Sequence, residues 1–201
     1  MRYDLKIIES WINPDSKVLG LGCGDGELLY FLKTNKNVLE RGIEKSEEQA
    51  SICISKGLSV IQGDINEEID GYPDDAFDCV ILSQTMQEVY KPYDLLISML
   101  RIGKRAIVSF PNFGHWKIRM QLLFSGYVPI TEHLPYTWYT TPNIRVLTLN
   151  DFRKFATDVG FEICREININ THSKDMYGKT VNFFPNLRST YGVYMIKKVE
   201  K

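Results

Sequence analysis

Hydrophobic and polar positions alternate between two periods along the first 110 residues. Leu5, Ile8 and Ile12 fall at i, i+3 and i+7 with Trp11 beside them, which is one face of a short helix. Asn13-Pro-Asp-Ser16 ends it as a turn. Lys17-Val-Leu-Gly-Leu21 reads as a short buried strand and runs into Gly22-Cys-Gly-Asp-Gly26. Residues 27–33 continue as a helix with Leu28, Leu29, Phe31 and Leu32 apolar. The unit then recurs. A strand is predicted over 37–43, a helix from Ser46 to about Lys56, and a strand over 58–62. Ser46 and Gln49 have capping-box spacing. After a turn at 71–75 come a strand at 77–82, a helix at 92–100 and a strand at 105–110. Alternation of this kind predicts an α/β fold, a doubly wound and mostly parallel sheet with helices on both faces.

The tail changes pattern. Residues 150–159 read as a helix with Phe152, Phe155 and Val159 on one face. Residues 161–169 and 191–197 read as strands without a helix pattern between them, so they are expected to pair antiparallel at one sheet edge. The whole chain, 1–201, reads as one domain with no internal repeat. Between the fifth strand and this tail lies an aromatic-rich insertion, 111–147. It holds Phe113, Trp116, Phe124, Tyr127, Tyr136, Trp138 and Tyr139. A long irregular stretch inside a compact domain is usually functional, and the aromatics argue against disorder. It is read as a lid or a docking segment. Trp116, Met120, Leu123 and Phe124 share one helical face. Such a face most often packs on its own domain. Left exposed, it is an interface patch, with Trp138 and Tyr139 as anchors.

Composition narrows the classes. With 201 residues, 44% hydrophobic and 24% charged, the chain is ordinary globular material. A domain this long buries roughly 70% of its unfolded surface without a disulfide or metal staple. A net charge of −1 argues against nucleic acid as a general partner. No apolar run nears the ~20 residues that span a bilayer, and the first residues lack a signal-type apolar stretch, so a cytoplasmic protein off the membrane is expected. Cys23, Cys53, Cys79 and Cys164 form no CxxC pair, so no metal site is expected and the thiols read as buried residues of a reducing compartment.

The chemistry begins at the glycine turn. Glycines let a ligand approach the backbone, and free N–H groups at the start of the next helix would face it. The spacing is GxGxG, with Glu27 where a dinucleotide fingerprint needs its third glycine. A pyrophosphate would be repelled by Asp25 and Glu27, whereas the sulfonium and ammonium of S-adenosylmethionine suit acidic neighbours. Glu44 follows the turn by about 20 residues, the place of a ribose-binding carboxylate; it also reads as a solvated acid at a helix start. Asp64, with Ile65 beside it, can reach an adenine amine or simply cap a helix. Ser83, Gln84 and Thr85 follow the fourth strand and either line the site or satisfy a turn. The candidate cofactor-binding set is Gly22, Cys23, Gly24, Gly26, Glu44, Asp64, Ile65 and Ser83. Methyl transfer from a sulfonium needs mainly positioning. Where a base is required, the candidates are His115, His133 and Tyr139, each of which also has a structural reading. No Asn-Pro-Pro-Tyr type motif follows the fourth strand, so amino methylation of nucleic acid is not supported.

At this point the chain resembles the MetW family, methionine-biosynthesis proteins with a class I methyltransferase fold. The likeness is carried by Val18-Leu-Gly-Leu-Gly-Cys-Gly-Asp-Gly26, Leu82-Ser-Gln-Thr85, Ser109-Phe-Pro-Asn-Phe-Gly-His-Trp116, Leu134-Pro-Tyr-Thr-Trp-Tyr139 and Thr141-Pro-Asn-Ile144. The resemblance implies a seven-stranded sheet with one antiparallel strand and S-adenosylmethionine or S-adenosylhomocysteine as cofactor. It also implies support or regulation of homoserine O-acyltransferase as partner, with methyl transfer to a small molecule as the alternative. One departure stands out. Most relatives carry an acid where this chain has Gly20. Losing one charge-assisted contact of roughly 1.5–3 kcal/mol would weaken cofactor binding roughly 10- to 150-fold, unless Asp25 compensates.

Overall fold

The computed structural model describes residues 1–132, 134–171 and 175–199. Along the chain it runs α1 (Tyr3–Trp11), β1 (Lys17–Leu21), α2 (Glu27–Lys36), β2 (Leu39–Glu44), α3 (Glu47–Ser55), β3 (Val60–Gln62), α4 (Ile65–Glu68) and β4 (Cys79–Ser83). It continues α5 (Pro92–Ile102), β5 (Ala106–Pro111), α6 (Trp116–Ser125), α7 (Leu149–Val159), β6 (Phe161–Asn170), β7 (Lys179–Thr180), α8 (Pro185–Arg188) and β8 (Tyr191–Lys198). Among the described residues no helix is long and apolar enough to cross a membrane.

The strands form one sheet in the order β3-β2-β1-β4-β5-β8-β6-β7. The first five are parallel, as the alternating pattern predicts. β8 runs antiparallel to both β5 and β6. One expectation holds and one needs correction. The tail strands pair antiparallel at one end of the sheet, as expected, with β8 the inner of the two, between β5 and β6. Its residues Tyr191 to Ile196 are buried. The sheet has eight strands rather than seven, since the two-residue β7 adds to the outer edge of β6 at Ile169 and Asn170. At the first boundary, Asn37 is not strand but the left-handed C-cap of α2, at φ +52°.

Alternate side chains on each strand feed two cores. Val18, Ile81, Ile107, Val193 and Met195 meet Leu5, Ile8 and Trp11 of α1 and Leu28, Leu29 and Leu32 of α2. Leu19, Leu21, Val80, Leu82, Val108 and Tyr194 face α5 and α7. There Tyr194 stacks on Phe110 at 5.5 Å between ring centroids, with Phe152 at 4.6 Å. Strand order reverses between β1 and β4, so their carboxyl tips open a crevice.

The 111–147 insertion is anchored at its root. Asn112, fully buried, accepts from the Gly114 amide at 2.9 Å and donates to the carbonyls of Asn186 and Ser189 at 3.0 and 2.9 Å. His115 then caps α6, its Nδ1 accepting from the Lys117 amide at 3.3 Å. Beyond this root α6 leaves the domain. Ile118 is its one buried residue, while Trp116, Met120, Leu123 and Phe124 are exposed. The more ordinary expectation, that this face packs on its own domain, therefore does not hold. The four residues lie on the side of α6 turned away from the core that Ile118 reaches.

Candidate functional site

β1 delivers the chain into the glycine turn with three consecutive alternate residues left-handed: Gly22, Gly24 and Gly26 lie at φ +61°, +57° and +75°. Two of them are also sterically required. A Cβ at Gly22 would stand 2.9 Å from Thr85 Oγ1, and one at Gly26 would stand 2.4 Å from Leu58 Cδ1 and 2.8 Å from Cys53 Sγ. At Gly24 the space is open.

The amides of this turn are already used. Gly22 N–H donates to the Ile43 carbonyl at 2.8 Å, Gly26 N–H to Cys23 at 3.1 Å, and Gly24 N–H to Glu44 Oε2 at 2.8 Å. Glu27 N–H donates to Asp25 Oδ1 at 3.1 Å. The expectation of free amides facing a ligand is thus overturned for these positions. A phosphate cradle needs such donors unspent and no carboxylate in their midst. Here Glu44 occupies that place. Its other oxygen accepts from Ser46 N–H at 2.9 Å, so the Ser46–Gln49 box is half formed: Ser46 Oγ accepts from Gln49 N–H, but Glu44 takes the Ser46 amide. A carboxylate has about four acceptor sites. Two remain for a diol.

Asp25 and Glu27 are not idle acids. Asp25 pairs with Lys56 at 3.1 Å, and Glu27 with the Met1 ammonium at 2.8 Å. Burial opposes Asp25 ionisation, but the Glu27 amide and Lys56 outweigh it and hold the carboxyl below its usual range. With its charge engaged by Lys56, Asp25 is a poor substitute for the acid that the family resemblance leads one to expect at position 20. Cys23 and Cys53 pack beneath the turn, Cys53 Sγ donating to the Gly24 carbonyl at 3.1 Å, and burial pushes both thiols up.

Two adjoining cavities lie over the strand tips. One, of about 480 Å³, runs behind the turn and is lined by Gly20 to Asp25, Leu28, Leu29, Ser83 and Gln84 among others. The other, of about 510 Å³, is lined by Glu44, Asp64, Ile65, Ser83, Thr85 and Glu88, with Pro142 and Ile144 also on its wall. Gly22, Ser83 and Gln84 belong to both. The fold therefore brings together Gly22, Cys23, Gly24, Glu44, Asp64, Ile65 and Ser83, and Gly26 shapes the turn from below. Asp64 caps α4 through the Asn66 amide and pairs with Lys45 at 3.1 Å; the Asn66 bond chiefly keeps its carboxyl low. It caps the helix and lines the cavity, so both of its expected roles remain compatible.

The three candidate bases fare differently. His115 is 3% exposed, and Tyr139 stands outside against Trp138 at 5.6 Å. Neither lines either cavity. His133 lies outside the described residues. Sequence reasoning missed Arg2, which lines both cavities, and the return of residues 142–145 to the site. Arg2 precedes the first apolar helix and carries no motif. The return is made by the Ile144 and Arg145 amides, which each donate to the Gln87 carbonyl at 2.9 Å.

A carboxylate among spent amides makes this turn a poor cradle for a pyrophosphate. The chain matches the family described as methionine biosynthesis protein MetW over residues 2–196. It belongs to the MetW family. The resemblance carried by the glycine turn and by the strings at 82–85, 109–116, 134–139 and 141–144 is borne out, and membership ties the chain to methionine biosynthesis. Within that family setting, the chain is 33% identical over 177 residues to the bifunctional methionine biosynthesis protein MetXA/MetW of Rhodopirellula baltica. That match covers 83% of this chain but only 28% of the longer relative. Among solved structures, an S-adenosylmethionine-dependent methyltransferase of Thermotoga maritima, titled a possible histamine N-methyltransferase, superposes with a TM-score of 0.68 at 20% identity, covering 98% of this chain and 88% of that one. The [4+2]-cyclase SpnF superposes equally, TM-score 0.68 at 16% identity, over 98% and 81%. These likenesses show the methyltransferase-type fold, on which reactions other than methyl transfer also occur.

Proposed function

We propose that this MetW-family chain binds S-adenosylmethionine or S-adenosylhomocysteine in the strand-tip crevice and acts chiefly through a partner, homoserine O-acyltransferase, rather than by chemistry of its own. The observation that carries the reading is the exposure of large apolar side chains along the 111–147 segment. Leu123, Phe124, Tyr127, Trp138 and Tyr139 are each at least 70% exposed. An exposed patch rich in large aromatics is what protein interfaces use as anchors. The MetXA/MetW relative supports the choice of partner, because joining two functions in one chain holds them at roughly millimolar effective concentration. Sensing needs a physical link between ligand and patch. The 111–147 segment supplies one, since its far end, Pro142 and Ile144, walls the cavity. A ligand that favours one arrangement of this strap shifts docking by its differential affinity, and the partner shifts ligand affinity reciprocally.

The second reading is a methyltransferase for an unidentified small molecule, favoured by the Thermotoga maritima neighbour. Co-purification with the acyltransferase, and a change in its rate on adding the chain, supports the partner role. Absence of both removes it. Turnover of labelled cofactor into a new methylated product in cell extract supports the enzyme instead.

A further inference from the structure

One guanidinium stands where the two cavities meet. Arg2 lines the space behind the glycine turn and the space at the tips of β2, β3 and β4 alike. Asp4, in the first turn of α1, holds it from behind: Arg2 Nε reaches Asp4 Oδ1 and Arg2 Nη2 reaches Asp4 Oδ2, each at 3.2 Å. This two-point pairing fixes the plane of the guanidinium. Asp4 is 2% exposed and lines neither cavity. Its Oδ2 also accepts from Gln84 Nε2 at 2.8 Å and from Ser83 Oγ at 3.5 Å, which ties α1 to the tip of β4.

The β4 tip is built to keep that tie. Gln84 lies at φ +52°, a left-handed conformation that a non-glycine residue adopts at a cost. Its amide is pinned to the Ser109 carbonyl at 2.8 Å and its carbonyl to Gln87 Nε2 at 2.6 Å. Arg2 Nη2 stands a further 3.4 Å from Ser83 Oγ. Among the described residues, Arg2 Nη1 has no hydrogen-bond partner. The acids that share the first cavity wall, Asp25 and Glu27, are engaged by Lys56 and the Met1 ammonium. The Arg2–Asp4 pair thus presents its cationic end to the cavities and keeps its anionic end in the core.

We propose that Arg2 is the carboxylate-binding residue of this site and that Asp4 is the positioning residue behind it. The proposal rests on the adenosyl reading of the crevice given above. The α-carboxylate of the ligand's amino-acid tail docks on the Nη1 side of Arg2, next to the shared wall of Gly22, Ser83 and Gln84. The tail then occupies the cavity behind the turn, and the adenosine occupies the cavity bounded by Glu44 and Asp64. α1 becomes part of the binding site, and the site selects adenosyl thioethers and sulfonium ions that carry an α-carboxylate.

The test titrates the full chain calorimetrically with S-adenosylhomocysteine and with 5′-methylthioadenosine, which keeps adenosine and thioether sulfur but lacks the carboxylate. Wild type is expected to favour S-adenosylhomocysteine. Arg2→Gln should weaken S-adenosylhomocysteine by roughly 10- to 150-fold, the range of a lost charge-assisted contact, and leave 5′-methylthioadenosine within about twofold. Arg2→Lys should recover part of the loss, since the charge returns without the fork. Asp4→Asn, checked for folding by thermal melt, should show the same selective loss in smaller measure. The half-exposed Arg2 keeps the test valid should the buried Asp4 variant fail to fold. An Arg2→Gln chain that keeps its S-adenosylhomocysteine affinity, or loses both ligands equally, overturns the assignment while leaving the crevice an adenosyl site. Wild type binding neither ligand overturns both.

Discussion

The amide of Gly24 donates to Glu44 Oε2 across 2.8 Å, joining the glycine turn after β1 to the tip of β2. This bond sets the character of the site. It places a carboxylate where a phosphate would need donors, and it orients that carboxylate toward the larger cavity. Glu44→Ala should therefore remove two charge-assisted backbone bonds and the diol acceptor together. A stability loss of about 2–4 kcal/mol is expected, with loss of adenosyl binding. Glu44→Gln retains one acceptor oxygen and should be intermediate in both. Thermal melts and calorimetry of the two variants check the order.

Gly26 and Gly24 make a contrasting pair. Gly26→Ala meets both a left-handed backbone and the Leu58 and Cys53 side chains, so unfolding should become easier by more than about 2 kcal/mol. Gly24→Ala meets only the backbone cost, about 1–2 kcal/mol, because nothing lies within 4 Å of the new methyl. Denaturant titration distinguishes the two. Equal losses would contradict the packing beneath the turn.

Gly20→Asp supplies the acid that the family resemblance leads one to expect, one residue before the end of β1. Its Cβ would meet Leu29 at 3.2 and 3.3 Å and Cys23 Cβ at 3.4 Å, so Leu29 must yield by a few tenths of an ångström. Gly20→Ala isolates that packing change. Relative to the alanine variant, the aspartate should tighten S-adenosylmethionine by about tenfold. Equal or weaker binding in calorimetry would retire the idea that this carboxylate limits affinity.

His115 gives a pH signature. Burial, and then the nearby Lys117 cation, hold its imidazole below the ordinary 6.5. The unfolded chain therefore takes up a proton first. The stability contributed by the neutral ring is complete above pH 6.5 and is lost as pH falls toward the folded value. Protonation also removes the Nδ1 acceptor that caps α6. His115→Asn keeps a cap acceptor without titrating. Its unfolding free energy should fall less than that of wild type between pH 7 and about 5. Parallel curves would contradict this role.

The parallel half of the sheet was legible because its strands and helices differ in period and glycines punctuate them. Glu44, Asp64 and Ser83 could be placed at strand tips for the same reason. What the sequence hid was decided by long-range pairing. The insertion of β8 between β5 and β6 leaves no local mark, and β7 is too short to have one. Arg2 looks like any residue before a helix; its pair with Asp4, which holds Gln84, and its own contact with Ser83, 81 residues away, bring it to the site. The exposure of Phe124 was equally hidden, since an apolar helical face reads the same whether the domain or a partner covers it.

The central claim is tested most directly by titrating the purified chain with S-adenosylmethionine, S-adenosylhomocysteine and NAD in one calorimetric series. Saturable one-site binding of an adenosyl ligand, lost in Glu44→Ala, with no heat from NAD, is the predicted result. Binding of NAD at the glycine turn, or no binding of any of the three, would contradict it.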